Sequence, residues 1–356
     1  MTPNTAFPTK KTARQPSIDF LRFIAAIMVA TFHWATDVGS ARNTEIYGIP
    51  ILGDLVKNGG FGVNIFFVIS GFVIIGSAQK YNATEFIFAR FIRLFPGLFL
   101  FMILVLIINT LVIGQYEKPF FTFFHSTFLT YQLVEVYPLA TALWTLIVEV
   151  KFYIGVSFAL FLFPKLFKST KGIIALMILW ELTIVLLEVS PLPIRTFLLP
   201  HFTLNGFSNL FALGICYYLI NKIRIKANSE NLLVLLVAVY FINDVFFRSG
   251  YSNILKLYMV VTSILIVLSS KLILHSSLQK VTYWLGLSSY PIYLLHQALG
   301  IGLISKLQAH ITSNIFLVFG ATIILITIGS ALLAIFIERP IQRYFKLQFE
   351  RIYQRG

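Results

Sequence analysis

DFLRFIAAIMVATFHWATD, residues 19–37, is an apolar run of membrane-spanning length that nevertheless contains an arginine and a histidine. Ionisable side chains are costly in hydrocarbon, so a simple membrane anchor avoids them. Arg22 and His33 are separated by about three whole turns of an α-helix, which places both on one face, about 16 Å apart along the axis. A shared polar cavity would explain this placement, and so would snorkelling of each side chain to its own interface. The spacing alone leaves both interpretations open.

The whole chain has the composition of a membrane protein. Of its 356 residues, 58% are hydrophobic and 12% are charged, whereas a soluble domain is about 45–50% apolar and about 25% charged. The net charge of +14 would suggest nucleic-acid binding in a soluble protein. Here most of the basic residues fall in predicted loops, so membrane orientation explains them and no nucleic-acid partner is expected. With Cys216 as the single cysteine, an intramolecular disulfide is excluded.

Ten segments are apolar over roughly the 20 residues that a helix needs to cross a bilayer. They predict an all-α polytopic integral membrane protein with about ten transmembrane helices. With the N-terminus inside, the inner segments hold about three times as many Lys and Arg residues as the outer ones, which predicts an N-in, C-in topology. The outer basic residues are Arg42, Lys57, Lys118, Arg195, Arg248 and Lys306. The predicted spans are 18–36, 61–78, 94–114, 143–163, 172–189, 203–220, 231–247, 254–272, 283–303 and 315–337.

The remaining segments divide the chain into three regions. Residues 1–17 are polar and basic, so we expect a cytoplasmic tail before a retained first span, and no signal peptide. The transmembrane domain is predicted over 18–338, with the aromatic segment 120–134 at the interface. Residues 339–356 are basic and aromatic, a pattern typical of an amphipathic helix on an anionic inner membrane surface.

Glu149 lies in the fourth predicted span, close in predicted depth to His33. A buried carboxylate needs a partner or stays protonated. A contact with His33 would meet this need and would hold the imidazole in one tautomer; a structural polar contact between helices is the alternative. Lys151, two residues further on, points to a different face, where it snorkels or neutralises another group.

Arg90 and Arg93 are spaced i, i+3 near the inner end of the third predicted span. Paired guanidinium groups suit phosphate, although basic residues are expected at any inner surface.

Asn64 could donate to an oxyanion or cap a helix contact. Ser70, followed by Gly71, would permit close approach of another backbone.

Tyr293 and His296 are i, i+3 neighbours in the ninth predicted span. Such a pair more often closes a buried hydrogen bond than performs chemistry.

His33 and Asp37, spaced i, i+4, could form half of a metal site. No further ligands stand at a suitable spacing, so no metal is expected.

Six short motifs follow one another along the chain. They are Arg22-x10-His33, FFVISGF (66–72), RFIR (90–93), WTLIVEVKFY (144–153), SYPIYLLH (289–296) and ERP (338–340). In their order and spacing they resemble the acyltransferase-3 family of membrane O-acyltransferases, and the resemblance covers about residues 17–345. Thr145 stands where the family usually has serine, and Val150 and Lys151 replace a glutamate and a glutamine.

The resemblance implies transfer of an acyl group, most often acetyl, from cytoplasmic acetyl-CoA or another acyl-CoA. The implied acceptor is a hydroxyl of an extracytoplasmic glycan or lipid-linked sugar, with O-antigen as the leading candidate, and the implied location is the bacterial cytoplasmic (inner) membrane. His33 is then the general base or the acyl carrier, and Glu149 stabilises its charged form. The implied binding residues are Arg22, Arg90 and Arg93 for the donor, and Asn64, Ser70, Tyr153, Tyr293 and His296 for the substrate.

Two other classes of protein remain open at this point. Ten spans with intramembrane charges also suit a multi-span transporter or permease, although no duplicated halves are visible. A non-catalytic relative that moves or senses acyl groups is the third interpretation. Some relatives carry a fused extracytoplasmic hydrolase-like domain, and we expect none in these 356 residues. We therefore expect the membrane domain to complete the transfer itself or with a separate partner.

Overall fold

The computed structural model describes residues 15–37, 52–112, 118–191, 193–222, 229–245, 253–267, 275–311 and 314–353. Within these ranges the chain is helical and has no β-strand, which confirms the all-α prediction. Nearly all of the predicted N-terminal tail lies outside the described residues, as do Arg42 and Arg248.

Fifteen α-helices follow one another along the described parts of the chain. Two short π-helical segments, His296–Gly300 and Ala334–Glu338, interrupt the later ones. The helices are α1 Pro16–Asp37, α2 Leu52–Lys57, α3 Gly62–Ala78, α4 Ala83–Val112, α5 Pro119–Thr127, α6 Leu143–Leu162, α7 Thr170–Val189, α8 Ile194–Phe202, α9 Ser208–Ile220, α10 Ser229–Asn243, α11 Asn253–Val267, α12 Ser276–Leu295, α13 Ile301–His310, α14 Ile315–Leu333 and α15 Arg339–Tyr353.

Six of the described helices are long and apolar enough to cross a membrane: α1, α3, α4, α6, α7 and the continuous run that begins with α14. Three further apolar helices, within α9, α10 and α11, are shorter. The 13 residues of α9 form a helix of about 20 Å, which is less than the roughly 30 Å of a hydrocarbon core. Several spans are therefore present, while the number ten and the N-in orientation stay predictions.

The helix of the sixth predicted span begins a few residues later than the predicted start near residue 203. Helix α9 begins only at Ser208, because the backbone before it makes a left-handed turn. Leu204, Asn205 and Gly206 have φ angles of 50°, 58° and 89°. Asparagine and glycine tolerate this conformation better than other residues, and an Asn-Gly pair marks a turn.

The chain divides into two compact units, of which the first comprises residues 1–63, 89–146 and 273–356. In this unit α1 packs along α12, and α12 packs along α14. A side chain added at Gly286 would collide with Asp19 of α1, so glycine is what lets the two helices approach. This packing brings the first span of the chain beside one of the last.

The second unit comprises residues 64–88 and 147–272. Two glycines interlock α3 with α9: a Cβ at Gly71 would collide with the carbonyl of Phe211, and a Cβ at Gly214 with the carbonyl of Val68. Backbones in such close contact are typical of membrane helices. The ring of Phe152 packs against that of Phe211, with centroids 4.3 Å apart.

Large apolar side chains cover the outside of α6 and α7. The exposed fraction is 62% for Phe158 and 73% for Phe161. On α7, Leu179, Leu182 and Leu186 are also exposed. Exposed apolar surface of this extent marks an interaction site, and on helices of spanning length the fitting partner is lipid.

Candidate functional site

His33 meets a second histidine within the first unit. The two imidazole centroids, of His33 on α1 and His296 at the end of α12, are 5.2 Å apart. His33 is half-buried, whereas His296 is fully buried. The Nδ1 atom of His296 lies 2.8 Å from the carbonyl oxygen of Tyr293. Because a carbonyl can only accept, Nδ1 donates this bond and carries the ring proton.

Trp34 fixes the two helices to each other beside the histidines. Its indole Nε1 donates to the backbone carbonyl of His296 over 2.8 Å, and its side chain is fully buried. The ring fills the space beside Gly300, where any side chain would collide with it. A π-helical segment begins at His296, and such segments frequently occur at functional sites.

The hydroxyl of Tyr293 is engaged in the interior of the first unit. It lies 2.6 Å from Oγ1 of Thr145 and donates to the carbonyl of Ala142 over 3.1 Å. Thr145 keeps the hydroxyl that serine would supply in the family pattern, so this departure preserves the contact. These bonds match the buried hydrogen-bonding role that the i, i+3 spacing of Tyr293 and His296 favours.

Arg93 forms an ion pair that the sequence did not reveal. Its Nη1 lies 2.8 Å from Oε1 of Glu338, the glutamate of the ERP motif. Gln342 donates to the same oxygen over 2.8 Å and to the carbonyl of Arg93 over 3.1 Å. The guanidinium also stands 5.5 Å from the centre of the Tyr290 ring, within the range of a cation–π contact. Two sequence motifs, RFIR and ERP, thus meet in the first unit.

The other two arginines predicted for donor binding are Arg22 and Arg90, and both are half-buried in the first unit. Arg93 is more accessible, with 44% of its side chain exposed, whereas Glu338 has 4%. The fixed carboxylate therefore holds one edge of a guanidinium that still reaches the surface.

Glu149 is held by two hydroxyl groups of the second unit. Ser70 donates to its Oε1 over 3.0 Å, and Tyr153 donates to the same oxygen over 2.5 Å. Neither bond uses Oε2. Two hydroxyl donors on one oxygen fix the position of this carboxylate. Asn64, the other predicted residue of this unit, is buried.

Lys151 has a partner in the left-handed turn before α9. Its ammonium donates to Oδ1 of Asn205 over 2.8 Å. Asn205 has a positive φ of 58°, so the contact joins α6 to the left-handed turn. Asn205 is a neutral side chain 54 positions away, so this contact does not neutralise the lysine, and whether Lys151 snorkels stays open.

The predicted site residues thus fall into two groups. His33, Tyr293, His296 and the three arginines lie in the first unit, and Asn64, Ser70, Glu149 and Tyr153 lie in the second. The contact between His33 and Glu149 stays a prediction. Among the described residues, no group of three or more His, Cys, Asp or Glu side chains could hold a metal ion.

Comparison with known protein families yields a match over most of the chain. The family model described as an acyltransferase domain, that of acyltransferase-3, matches residues 15–335. No curated protein and no solved structure matches the chain.

Proposed function

Since this chain belongs to the acyltransferase-3 family, we propose that it is an O-acyltransferase of the bacterial inner membrane. It transfers an acyl group, most often acetyl, from cytoplasmic acyl-CoA to a hydroxyl of an extracytoplasmic glycan such as O-antigen. Family membership and the long apolar helices support a multi-pass membrane acyltransferase. The main structural support for specific catalytic residues is the cluster that His33 forms with His296 and Trp34.

In this proposal His33 activates the acceptor hydroxyl. Imidazole is the side chain best suited to take a proton near neutral pH. The hydroxyl oxygen attacks the thioester carbon while its proton passes to His33. The carbon–sulfur bond then breaks, and His33 passes the proton to the departing thiolate. In a covalent route, a ring nitrogen of His33 attacks the thioester carbon, and the thiolate leaves and takes the ring proton. The sugar hydroxyl then displaces the imidazole from the acyl group, and the hydroxyl proton passes to the ring.

Glu149 supplies a fixed negative charge for the same reaction. Its Oε1 is held by Ser70 and Tyr153, which fixes the position of the carboxylate. Such a carboxylate stabilises the imidazolium form of His33 as the proton is taken. Ser70 and Tyr153 then act through Glu149 and do not need to touch the substrate.

The arginines hold the donor. Coenzyme A carries phosphate groups, and a guanidinium offers a planar fork of donors that fits them. Arg93, fixed by Glu338 and partly exposed, is the best placed of the three. Arg22 and Arg90, which share its unit, extend the positive charge.

The decisive test compares surface glycans from wild-type cells, from cells lacking the protein, and from cells producing the His33→Ala variant. We expect mass spectrometry to show an acyl increment in the wild type that the other two lack, because removal of a general base typically lowers the rate about 10²–10⁴-fold. Membrane insertion of the variant is checked by immunoblotting. Unchanged acylation in correctly inserted His33→Ala protein would refute the assignment, and solute uptake without acyl donor would point to a transporter.

A further inference from the structure

His296 has a defined tautomer and an unused nitrogen. Its Nδ1 donates to the carbonyl of Tyr293, and a neutral imidazole has only one N–H group. A charged imidazole would be costly at a fully buried position. The other nitrogen, Nε2, therefore carries a lone pair and can only accept a hydrogen bond.

That lone pair is buried and has no hydrogen-bond partner among the residues that the structure describes. Buried polar atoms without a partner are rare, and each one calls for an explanation. The neighbouring polar groups are already engaged. The indole of Trp34 donates to the backbone carbonyl of His296, and the hydroxyl of Tyr293 contacts Thr145.

The ring of His33 stands at the distance that a direct bond to His296 requires. Two imidazoles joined in line by one N–H···N bond of about 2.9 Å have ring centres roughly 5.2 Å apart. The observed centroid separation of His33 and His296 is 5.2 Å, with an angle of 39° between the rings. The proposed bond therefore keeps the observed separation of the ring centres but needs a different ring orientation, because Nε2 has no partner in the observed one.

We propose that His296 is a positioning residue for acyl transfer, whose Nε2 accepts a hydrogen bond from the N–H group of His33. This inference rests on the proposed function. The bond presents the second nitrogen of His33 to the acceptor hydroxyl as a lone pair. When that nitrogen takes the hydroxyl proton, His33 becomes an imidazolium, and the bond to Nε2 stabilises it. His296 keeps its own proton throughout. The proton that His33 took from the hydroxyl passes to the thiolate of the leaving group.

Two substitutions separate this role from a structural one. In His296→Asn, the amide nitrogen can take the place of Nδ1 and keep the bond to Tyr293, but no atom stands at the position of Nε2. In His296→Gln, the longer side chain can place its amide oxygen near the position of Nε2 and accept from His33. Thr282→Val is the matched control, because Thr282 is a buried polar residue of the same helix that donates only to carbonyls of its own turn.

The assay measures thiol release from acetyl-CoA in membrane vesicles from producing cells, normalised to the amount of inserted protein. We expect His296→Asn to lower the maximal rate about 10–100-fold, which is less than the about 10²–10⁴-fold loss typical for a general base. The KM for acetyl-CoA should stay unchanged, because His296 does not touch the donor. His296→Gln should retain most of the wild-type rate, and Thr282→Val should resemble the wild type.

Each alternative outcome contradicts a specific statement. If the wild type is active and His33→Ala is not, while His296→Asn matches the wild type, the inference is wrong and the proposed function stands. If His296→Gln and His296→Asn lose activity equally although both are inserted normally, then a hydrogen bond accepted at the position of Nε2 is not what His296 contributes. If wild-type vesicles release no more thiol than vesicles lacking the protein, the proposed function fails and the inference falls with it.

Discussion

Two hydroxyl groups converge on a single oxygen of Glu149, and this convergence is open to direct test. A hydrogen bond to a charged group contributes about 1.5–3 kcal/mol, which corresponds to about 10–100-fold in rate if it acts on the transition state. We expect Tyr153→Phe and Ser70→Ala each to lower the maximal rate of acyl transfer by that factor, with unchanged KM for acetyl-CoA. Thiol release from vesicles measures both quantities.

Tyr217→Phe is the matched control for this prediction. The hydroxyl of Tyr217 bonds to Ser263 in the same unit, so its loss removes a tyrosine hydrogen bond that does not involve Glu149. If Tyr153→Phe and Tyr217→Phe reduced the rate equally, the bond to Glu149 would have only a general structural effect.

At the scale of single residues, the sequence indicated which charged side chains inside the spans need a hydrogen-bond partner. It indicated less well which residues those partners are. Glu149 was expected to require one, and Tyr153 stands at i+4 on the same helix, a spacing at which side chains meet. Ser70, the second donor, is 79 positions away, and no local pattern connects it to Glu149. The partner of Lys151, Asn205, is 54 positions away, and its Asn-Gly pair indicates a turn but no contact with a lysine.

At the scale of helices, the ion pair between Arg93 and Glu338 connects α4 with the π-helical segment before α15. Removing one partner of such a pair leaves the other without compensation. We expect Glu338→Gln to raise the KM for acetyl-CoA and to lower the melting temperature, because Arg93 then loses the carboxylate that fixes its guanidinium. Thiol release at several donor concentrations and thermal unfolding in detergent measure the two effects.

Glu350→Gln provides the control on the same terminal helix. Glu350 faces Lys346 at 3.8 Å, and exposed pairs of this kind contribute about 0–1 kcal/mol. Its replacement should change neither the donor KM nor the melting temperature. A normal donor KM in Glu338→Gln would show that Arg93 does not need Glu338 to meet the donor.

Helix positions followed from apolar run length, whereas helix irregularities did not. The runs around α1, α3, α6 and α7 agree closely with the observed helices, because each is bounded by polar residues. The π-helical segments at His296 and Ala334 change the backbone hydrogen bonding without changing the composition. No hydrophobic pattern reveals them, although one of them begins at a proposed site residue.

At the scale of the whole molecule, composition was sufficient to predict a helical membrane protein. A chain this apolar has too few polar residues to cover its apolar surface in water. The distribution of Lys and Arg then predicts an orientation. The residues that meet in each unit come from distant parts of the chain, as with residues 1–63 and 273–356. Such long-range association depends on packing between helices, as at Gly286 and Asp19, and short-range periodicity does not encode it.

The orientation can be determined with single cysteines, because Cys216 is the chain's only native cysteine and is buried. In a Cys216→Ser background, Lys118→Cys and Lys165→Cys place thiols at exposed positions on opposite sides of the predicted membrane. We expect a membrane-impermeant maleimide to label residue 118 in intact spheroplasts, and residue 165 only after permeabilisation. This result follows from the positive-inside distribution of charge and would place the N-terminus in the cytoplasm. The reverse labelling pattern would invert the topology and move the proposed donor arginines away from cytoplasmic acyl-CoA.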